Sequence, residues 1–467
     1  MAKKKSMQKK VTKKTVSKKT VKKQAKKIVK LSGKVEEPII LQPVRGMRDI
    51  LPGEQPYWQQ VRKVLENSAI EYGFSRIDTP VVEYENLFTR PIGEGSDVID
   101  KELYSFKSRS RDNVALRPEF TTSIARAYIQ HGMNILPKPV KLFSMGRAYR
   151  YEKPQEGNYR EFRQGNFEIF GEDDPILDAQ IIQMSASILK NLGIKNVQFH
   201  VNSIGTVESR KEYFKLLRSY FNSKKHKLSS RYRDLIKTNP MRIFDSKDDK
   251  CMQVCAGAPQ AIDHLDKESR EHFKNLLEYL DELDLPYTIN PTLVRGLDYY
   301  TRTVFEIYSS DEDGKKHALG GGGRYDQLTE TLGSEAVPAI GLGLGMDRLV
   351  LEMKRLKAKK YQMPRPKVFL AQLGNLAKKK SLKTFAEIEK AGILVAESFG
   401  RGSLKAQLRY ASKLGVDVTL IIGQKEALEG TIIVKNMITG TQETIIKDKV
   451  IPEIKKCLKS SVKVSNK

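Results

Sequence analysis

The sequence predicts an α/β protein of several domains, and three patterns lead to that prediction. Residues 146–171 alternate as two strands joined by a turn-like KPQEGN, residues 206–287 are polar and helix-rich, and the chain after Pro364 and Pro366 reads β-α-β-α-β. The last pattern is typical of a separate module with a parallel sheet. A chain of 467 residues is too long for one core, and 39% hydrophobic residues suffice for two or three.

The first half of the folded part alternates between helices and strands. The apolar residues of YWQQVRKVLENSAIEYGF recur at helical spacing, and Gly73 suits the end of that helix. SRIDTPVVE predicts a strand interrupted at Pro80, and LRPEFTTSIARAYIQ predicts a turn and a helix with Thr121 or Thr122 near its N-cap. After the strand pair, PILDAQIIQMSASILKNLG predicts a helix that ends at Gly193, and VQFHVNSIG predicts a strand.

Strand character returns after the helix-rich stretch. LVRGLDYYTRTVFEIYSS predicts a strand, ALGGGGRYDQL a glycine loop, and AIGLGLGMDRLVLEMKRL a strand of small residues that runs into a helix. In the C-terminal module KVFLAQ, ILVAES and VTLIIG predict strands, and LKTFAEIEKAG and SLKAQLRYASKLG predict helices. TIIVKNMITGTQETI adds a hairpin that turns at Thr439-Gly440.

Composition excludes several classes of protein. No apolar run approaches the roughly 18–20 residues of a membrane span, and we find no apolar signal segment, so we expect no membrane association and a cytoplasmic location. Three cysteines in the whole chain argue against a disulfide framework and for a reducing compartment. Cys251 and Cys255 have no second cysteine pair nearby, which favours a structural or incidental role over a four-ligand metal site.

The amino terminus is strongly basic. Residues 1–34 hold 15 lysines and no arginine or acid, which is more than half of the net charge of +27. Residues 1–37 have almost no large apolar side chains, so we expect a disordered extension. Two functions stay open for it: attraction of nucleic-acid phosphate, or a solubilising or incidental role. A mitochondrial presequence is disfavoured, because such segments favour arginine and amphipathic spacing.

The strand pair at 146–171 carries polar residues where a strand usually turns an apolar row to the core. Arg150 offers a planar fork suited to phosphate, and Glu152 can accept a hydrogen bond from an exocyclic amine. Phe162 can stack on a flat base, and Gln164 and Glu168 can bond to a small polar ligand. The alternative, which this stretch alone favours, is a solvated face with cross-strand ion pairs.

Three further segments strengthen the ligand-binding interpretation. GGGGRYD lets a ligand approach the backbone, although it matches no phosphate-loop or dinucleotide motif. The alternating glycines of GLGLGMDRL let a flat group pack on a strand, and Arg348 opens the next helix. Arg295 stands before Gly296, and it can share a site with Tyr300 only if the chain bends there or is a loop. Alternatively, Arg295 anchors the glycine turn or pairs with Asp298.

Together these segments resemble the histidyl-tRNA synthetase family, of class II aminoacyl-tRNA synthetases, from about Arg45 to Lys449. Motif 1 of the class, the dimer helix and a strand ending at proline, matches residues 55–80. Motif 2, which opens with R-x-E, matches 147–170, and motif 3, which ends in an arginine, matches 340–352. LVRGLDYYTRTVFE is specific for the histidine member, and GMRDILP supports it.

The resemblance implies a class II antiparallel sheet flanked by helices and a C-terminal anticodon-binding domain with a mixed, mainly parallel sheet. The expected domains are a lysine-rich extension at 1–37, a catalytic domain at 38–205 with motifs 1 and 2, a helical insertion at 206–287, the rest of the catalytic domain with the histidine motif and motif 3 at 288–360, an anticodon-binding domain at 365–460, and a tail at 461–467. The anticodon-binding domain carries basic residues in one segment: Arg401, Lys405 and Arg409.

The resemblance also implies the activity of a histidine–tRNA ligase. Such an enzyme activates L-histidine with ATP and Mg²⁺ and transfers it to tRNA(His), and it works as a homodimer. Magnesium would be held mainly by the ATP phosphates. Two rival functions stay open: a histidine-binding regulatory subunit of ATP phosphoribosyltransferase, and a nucleic-acid-binding protein with an inactive core. The intact motif 2 arginine, Arg295 and the C-terminal module argue against the first rival.

The family's site residues transfer to this chain position by position. ATP would be bound by Arg150 at the α-phosphate, Glu152 at the adenine amino group, Phe162 on one adenine face and Arg348 on the other face and the γ-phosphate. Histidine would be bound by Glu119, Thr121, Gln164, Glu168, Arg295, Tyr300 and Tyr325. Arg150 and Arg295 would flank the reacting α-phosphate and are the expected catalytic residues. Glu168 and Tyr300 would reach the two imidazole nitrogens, which provides selectivity without editing.

Two residues depart from the family pattern. Phe120 stands where many relatives have glycine, which leaves the shape of the loop beside Glu119 open. Phe167 stands where a small or thiol residue is expected. Because Phe167 has the opposite parity to Glu168, we expect it to face away from the ligand.

Overall fold

The structure is a computed structural model that describes residues 41–92, 96, 98–246, 248–311, 314–400 and 402–465. The lysine-rich extension and Arg401 lie outside the described residues. The described chain up to Ala358, apart from Pro56–Gln60, forms one compact unit, and Lys359 onward, together with Pro56–Gln60, forms a second. No helix in the described part of the chain is long and apolar enough to cross a membrane.

The strands occur in both units. In chain order they are β1 (Ser75–Arg76), β2 (Val82–Tyr84), β3 (Ser105–Lys107), β4 (Asn113–Leu116), β5 (Val140–Tyr149), β6 (Glu161–Phe170), β7 (Val197–Ser203), β8 (Tyr287–Ile289), β9 (Thr301–Ser310), β10 (Lys316–Arg324), β11 (Ala339–Gly345), β12 (Val368–Gln372), β13 (Val395–Glu397), β14 (Val418–Ile422), β15 (Thr431–Asn436) and β16 (Gln442–Ile446).

The helices include the ones that the sequence predicts. In chain order the α-helices are Gln55–Glu71, Asn86–Ile92, Thr121–Gln130, Pro175–Asn191, Val207–Ser223, Ser230–Thr238, Asp249–Cys255, Lys267–Glu282, Leu328–Thr331, Met346–Arg355, Asn375–Lys390, Leu404–Leu414, Gln424–Glu429 and Val450–Ser465. Short 3₁₀ turns lie between them, among them Pro240–Asp245.

The helix Pro175–Asn191 shows why spacing and caps locate a helix well. Asp174 precedes it, and its carboxylate accepts a hydrogen bond from the backbone nitrogen of Ile176 at 2.9 Å. Pro175 occupies the first turn, where no backbone donor is needed. Beyond the end of the helix, Gly193 takes a φ of +74°, which glycine adopts without strain. The predicted bounds are therefore confirmed.

A large, mainly antiparallel sheet organises the first unit. Its strand order is β1-β5-β6-β11-β10-β9-β7-β8, and only the edge pairs β1–β5 and β7–β8 are parallel. This confirms the antiparallel sheet that the sequence predicts. The predicted strand around Pro80 is shorter than expected: β1 has two residues, and β2 joins a separate three-stranded sheet with β4 and β3.

The glycine run at 320–323 is a strand, and the predicted glycine loop is wrong. These residues lie in β10 and pair with β9 on one side and β11 on the other. An added Cβ at Gly320 or Gly322 would overlap the carbonyl oxygen of Gly343 or Gly341, respectively, on the neighbouring strand. The glycines therefore allow close approach of two strands.

The two faces of β6 have different neighbours. Phe167 is buried, and its ring lies 5.3 Å from that of Phe74 and 4.7 Å from that of Phe143. Glu168, one residue on, points to the opposite face, toward Tyr325. The prediction that Phe167 faces away from Glu168 is therefore confirmed, and its large ring fills the core beneath the sheet.

The residues at 206–287 are helical, as predicted, and belong to the first compact unit. The helix Lys267–Glu282 packs on the helix Pro175–Asn191. A fully buried Asp178 joins them: His272 Nε2 lies 2.8 Å from one carboxylate oxygen, and Arg324 Nε donates to the other at 2.8 Å. Burial alone would raise the pKa of Asp178, but Arg324 and His272 hold it below its usual range.

The second unit confirms the β-α-β-α-β pattern. Its sheet has the order β13-β12-β14-β15-β16, with parallel pairs β12–β13 and β12–β14. The predicted hairpin forms β15 and β16, and it makes both of its pairings antiparallel. The sheet is therefore mixed, as predicted, with its parallel part limited to the first three strands.

Candidate active site

A cleft of about 270 Å³ opens on the face of the large sheet. Strands β6, β9, β10 and β11 supply its floor, and the loop between β5 and β6 supplies one wall. The cleft brings together six of the residues that the sequence singles out: Arg150, Glu152, Phe162, Gln164, Arg295 and Arg348. Polar side chains of several distant segments thus converge on one cavity, as ligand sites do.

Arg150 and Glu152 reach the cleft from the loop, because β5 ends at Tyr149. The prediction that Arg150 and Glu152 lie in a strand and share one of its faces is therefore wrong. Arg150 Nε donates to the carbonyl oxygen of Pro118 at 2.9 Å, and its guanidinium carbon lies 5.4 Å from the ring centre of Phe162. Arg150 Nη1 lies 3.8 Å from Glu152 Oε1. A phosphate-binding fork, an acceptor and an aromatic ring are therefore neighbours.

The loop wall is fixed by the GMRDILP segment. The backbone nitrogen of Arg160 donates to the carbonyl oxygen of Gly46 at 2.8 Å. The guanidinium carbon of Arg160 lies 3.5 Å from the ring centre of Tyr151. Gly46 has a φ of +86°, and an added Cβ would come within 2.9 Å of the Arg160 side chain. Only glycine fits this contact without displacement, which explains the residue at the start of GMRDILP.

Arg348 lies in the first turn of the helix Met346–Arg355. Its Nη2 donates to Asn158 Oδ1 at 2.8 Å, and its Nη1 donates to the carbonyl oxygen of Ala318 at 3.2 Å. Beside it, Asp347 is buried and accepts a hydrogen bond from the backbone nitrogen of Arg163 at 2.8 Å. Burial raises the pKa of Asp347. Arg348 thus lines the same cleft as Phe162 and is held there by contacts with two other segments.

A buried polar cluster lies behind the cleft. Glu168 accepts hydrogen bonds from Thr121 Oγ1 at 2.8 Å and from the hydroxyl of Tyr325. Burial raises the pKa of Glu168 to about 8; Glu119 adds to the rise, and the bonds from Tyr325 and Thr121 partly offset it. The carboxyl of Glu168 therefore keeps its proton to a higher pH than an exposed glutamate does.

Glu119 does not line the cleft, because its carboxylate is bound at the start of the helix Thr121–Gln130. It accepts from the backbone nitrogens of Thr121 at 2.6 Å and Thr122 at 2.8 Å. The helix starts at Thr121, directly after the N-cap residue Phe120, so a threonine lies near the N-cap as predicted, and Glu119 makes the capping contacts. Phe120 is fully buried, and the guanidinium carbon of Arg117 lies 3.9 Å from its ring centre. The fold therefore accommodates a phenylalanine where many relatives have glycine.

Arg295 lies in an irregular stretch and points into the cleft. Its Nη1 donates to Glu306 Oε1 at 3.0 Å, and its guanidinium carbon lies 5.7 Å from the ring centre of Tyr300. An added Cβ on Gly321 would lie 2.7 Å from Nη1, so the glycines of β10 leave room for it. The alternative pairing with Asp298 is wrong, because Asp298 contacts Arg242.

Tyr300 and Tyr325 belong to a buried aromatic group. The ring centre of Tyr299 lies 4.8 Å from that of Tyr300 and 5.8 Å from that of Tyr325. Burial raises the pKa of all three hydroxyls, so they stay protonated donors. The group closes the inner end of the site beside Glu168.

Sequence reasoning missed Glu306 and Asn158, which bond to Arg295 and Arg348 in the cleft. Glu306 is the last residue of LVRGLDYYTRTVFE, so the motif itself offers it as a partner for Arg295. Asn158 carries no such signal, because its contact with Arg348 spans 190 residues.

Comparison with known proteins decides between the open functions. Residues 46–349 match the family model described as histidyl-tRNA synthetase, and residues 367–457 match an anticodon binding domain. A histidine–tRNA ligase of Dehalococcoides mccartyi is 43% identical over 415 residues, which cover 89% of this chain and 99% of the relative. One of Desulforamulus reducens is 38% identical over 402 residues, 86% of this chain and 96% of the relative.

The chain belongs to the histidyl-tRNA synthetase family.

The crystal structure of apo histidyl-tRNA synthetase from Staphylococcus aureus agrees with this assignment. It has a TM-score of 0.73 and 32% identity, and the match covers 89% of this chain and 99% of that one. A structure described as an ATP phosphoribosyltransferase regulatory subunit/histidyl-tRNA synthetase from Bacillus halodurans has a TM-score of 0.59 at 20% identity, which shows a shared fold alone. The relatives at 38–43% identity favour the synthetase over the regulatory subunit.

As a histidyl-tRNA synthetase, the enzyme is a histidine–tRNA ligase that uses ATP as a substrate. The cleft suits such chemistry, because the guanidinium groups of Arg150, Arg295 and Arg348 and the ring of Phe162 line it. Three carboxylates border the cleft, and each has an arginine partner: Glu152 with Arg150, Glu306 with Arg295, and Asp347 with Arg48 and Arg163. Within the described residues no group of three or more His, Cys, Asp or Glu side chains could hold a metal ion.

Proposed function

We propose that the cleft binds ATP and histidine end to end and joins them at Arg295. The observation that supports this most directly is the position of Arg295, which lines the cleft and also lies 5.7 Å from the ring of Tyr300 in the buried polar cluster. A nucleotide on the Arg150 side and an amino acid on the Glu168 side would therefore both reach its guanidinium.

The outer part of the cleft is proposed as the ATP site. Phe162 stacks on the adenine ring and Arg348 covers the other face, while Glu152 accepts from the adenine amino group. Arg150 binds the α-phosphate through its planar fork. Arg150 and Arg348 donate to protein oxygens, and these contacts would be exchanged for phosphate oxygens on nucleotide binding.

The inner part is proposed as the histidine site. Glu168 and Tyr300 bond to the two imidazole nitrogens, and Gln164 with Thr121 binds the amino group. Among the described residues Gln164 Oε1 has no hydrogen-bond partner although it is buried, as expected of an acceptor that binds a ligand. Glu119 and Tyr325 hold Thr121 and Glu168 in place. An amino acid without two ring nitrogens would leave buried groups unpaired, which can cost roughly 10⁴–10⁵ in specificity.

In the first step a carboxylate oxygen of histidine attacks the α-phosphorus of ATP in line. The phosphorus–oxygen bond to the β-phosphate breaks, and pyrophosphate leaves with that electron pair. Positioning and charge stabilisation dominate such a transfer. Arg150 and Arg295 stabilise the charge that develops at the α-phosphate. Magnesium, when bound, neutralises charge on the leaving phosphates, and we propose that the phosphates themselves hold it, because the carboxylates of the cleft pair with arginines.

In the second step the 3′-hydroxyl of tRNA(His) attacks the carbonyl carbon of the adenylate. The new ester bond forms, the bond to the phosphate oxygen breaks, and AMP leaves. An oxygen of that phosphate can accept the hydroxyl proton. Catalysis is proposed for residues 38–205 and 288–360, and anticodon binding for 365–460. We propose that the enzyme acts in the cytoplasm, where its tRNA substrate and reduced cysteines are stable.

We expect a homodimer in solution. Class II enzymes dimerise through motif 1, and two-fold symmetric dimers are the commonest oligomers. The measurement is sedimentation equilibrium of an active preparation, with a mass near twice the 53.1 kDa of the chain. A monomer mass in a preparation that retains full activity would contradict this expectation.

Deletion of residues 365–467 is expected to lower the rate of tRNA charging. This loss should be at least tenfold greater than the loss in the rate of histidine-dependent exchange of ATP with pyrophosphate. The cleft residues all precede this region, whereas residues 367–457 match an anticodon binding domain. Exchange in the full-length enzyme must also depend on histidine rather than on other amino acids, which tests the proposed function itself. Circular dichroism controls for folding. Equal loss of both activities in a folded truncation would contradict the division of labour.

A further inference from the structure

The stretch that carries Arg295 and Tyr300 has no regular secondary structure. Residues 290–300 form turns and bends between β8 and β9. Arg295, Gly296 and Leu297 line the cleft, and Tyr300 is buried in the inner cluster. No strand ladder fixes these side chains, and so contacts from other segments must determine where they point.

Asp298 receives such contacts from the helical region. Its Oδ1 lies 2.7 Å from Arg242 Nη2, and it accepts hydrogen bonds from Arg242 Nε at 3.0 Å and from Asn239 Nδ2 at 2.8 Å. Arg242 is 8% exposed, and its Nη2 also donates to the carbonyl oxygen of Ile92 at 3.2 Å. The guanidinium thus links three segments that are distant in sequence.

Apolar packing supports the same link. Arg242 lies in the 3₁₀ turn Pro240–Asp245, whose Met241 and Ile243 are buried in one core cluster with Tyr299 and Tyr300. The position of this turn and the position of the tyrosines are therefore coupled, because a close-packed core transmits displacement.

We propose that Arg242 is a positioning residue for histidine activation: through Asp298 it fixes residues 295–300 so that Arg295 and Tyr300 face the cleft. The helical region would then support the active site itself. Arg210 is a second cation near Asp298, but Arg242 is the one that bonds to its carboxylate, so loss of Arg242 removes this ionic link between the turn and the loop. This inference rests on the proposed roles of Arg295 and Tyr300.

The test is steady-state exchange of ATP with pyrophosphate in Arg242→Met. We expect the KM for histidine to rise and kcat to fall, with kcat/KM for histidine lower by about 10–100-fold, the scale of a small misplacement in an active site. The KM for ATP should change by less than about threefold, because Phe162, Arg150 and Arg348 lie on other segments. Arg242→Lys should recover part of the activity, since it keeps the charge without the fork.

Arg218→Met is the matched control. Arg218 also lies in the helical region and donates to the carbonyl oxygens of Ile236 at 3.3 Å and Lys237 at 3.2 Å, without reaching Asp298. Its exchange kinetics should stay within about threefold of the wild type. If Arg218→Met showed the same selective loss for histidine, the effect would belong to the helical region in general, and the role of Arg242 would be overturned.

Asp298→Asn provides an independent measurement if Arg242→Met fails to fold. It removes the charge but keeps the size, and it should show the same selective loss for histidine. The double variant Arg242→Met/Asp298→Asn should lose no more than the worse single variant, because one link is broken twice. Additive losses, or equal rises in both KM values, would overturn the proposal. Failure of the proposed function is distinguishable, because the wild type would then show no histidine-dependent exchange.

Discussion

Arg295→His is expected to lower kcat for histidine-dependent exchange of ATP with pyrophosphate by about 10²–10³, the loss seen when one charge-stabilising donor is removed. The guanidinium lines the cleft, where the proposed mechanism places the α-phosphate whose charge changes along the reaction. An interaction that strengthens in the transition state affects kcat more than KM. The KM for ATP should move much less, because Arg150 and Arg348, the other proposed nucleotide contacts, are unchanged. The measurement is steady-state exchange on a variant shown by circular dichroism to be folded.

The matched control for this variant is Arg302→His. Arg302 lies in the same motif, but its Nη2 is 3.5 Å from Glu268 and it does not line the cleft. We expect its kcat to stay within about threefold of the wild type. Arg295→Lys should recover part of the lost rate, since a point charge cannot bind in the bidentate manner of a guanidinium. An unchanged kcat in Arg295→His, or a loss confined to KM, would assign Arg295 a structural role.

Gly341→Ala is expected to raise the KM for histidine by about 10²-fold, the scale of one lost hydrogen bond to a charged or buried group. An added Cβ at Gly341 would overlap Glu168 Oε2 and lie 3.1 Å from the ring of Tyr325. Glu168 is fully buried, so it cannot move aside without breaking its bonds to Thr121 and Tyr325. The KM for ATP should stay within about threefold, because Gly341 lies outside the nucleotide part of the cleft.

Gly53→Ala is the control for the glycine substitution, since an added Cβ there meets no atom of the described residues within 4 Å. Its kinetics and melting temperature should match those of the wild type. A normal KM for histidine in a folded Gly341→Ala enzyme would show that the Glu168 carboxyl does not contact the substrate. The proposed histidine site would then have to be placed elsewhere in the cleft.

Much of the fold follows from local patterns in the sequence. The helix Pro175–Asn191 is predictable because its apolar spacing, its Asp174 cap and the glycine after it agree. The β-α-β-α-β module is equally clear, since each of its elements has its own periodicity. The glycine run of β10 was wrongly predicted to be a loop. Glycine has no side chain whose alternation could indicate a strand, and the need for glycine here depends on how closely β11 approaches.

The candidate site divides in the same way. Motif residues such as Arg150, Phe162 and Arg348 can be named from sequence, and the structure brings them to one cleft. The sequence did not show which structural element carries each residue. Arg150 lies in a loop rather than in a strand, and the carboxylate of Glu119 accepts a hydrogen bond at the start of a helix rather than lining the cleft. These settings depend on where β5 ends and where a helix begins, which neighbouring segments decide.

The sequence by itself determined the family, the order of the elements and the side chains available for chemistry, because motif spacing and periodicity are properties of the chain alone. Tertiary structure decided which charged side chains pair with each other and which carboxyl group has a raised pKa. Arg295 pairs with Glu306 and Asp298 with Arg242, although Asp298 is far closer to Arg295 in sequence. The pKa of Glu168 rises to about 8 because the fold buries it completely. Burial and long-range contacts arise only once distant segments pack, and so no local pattern records them.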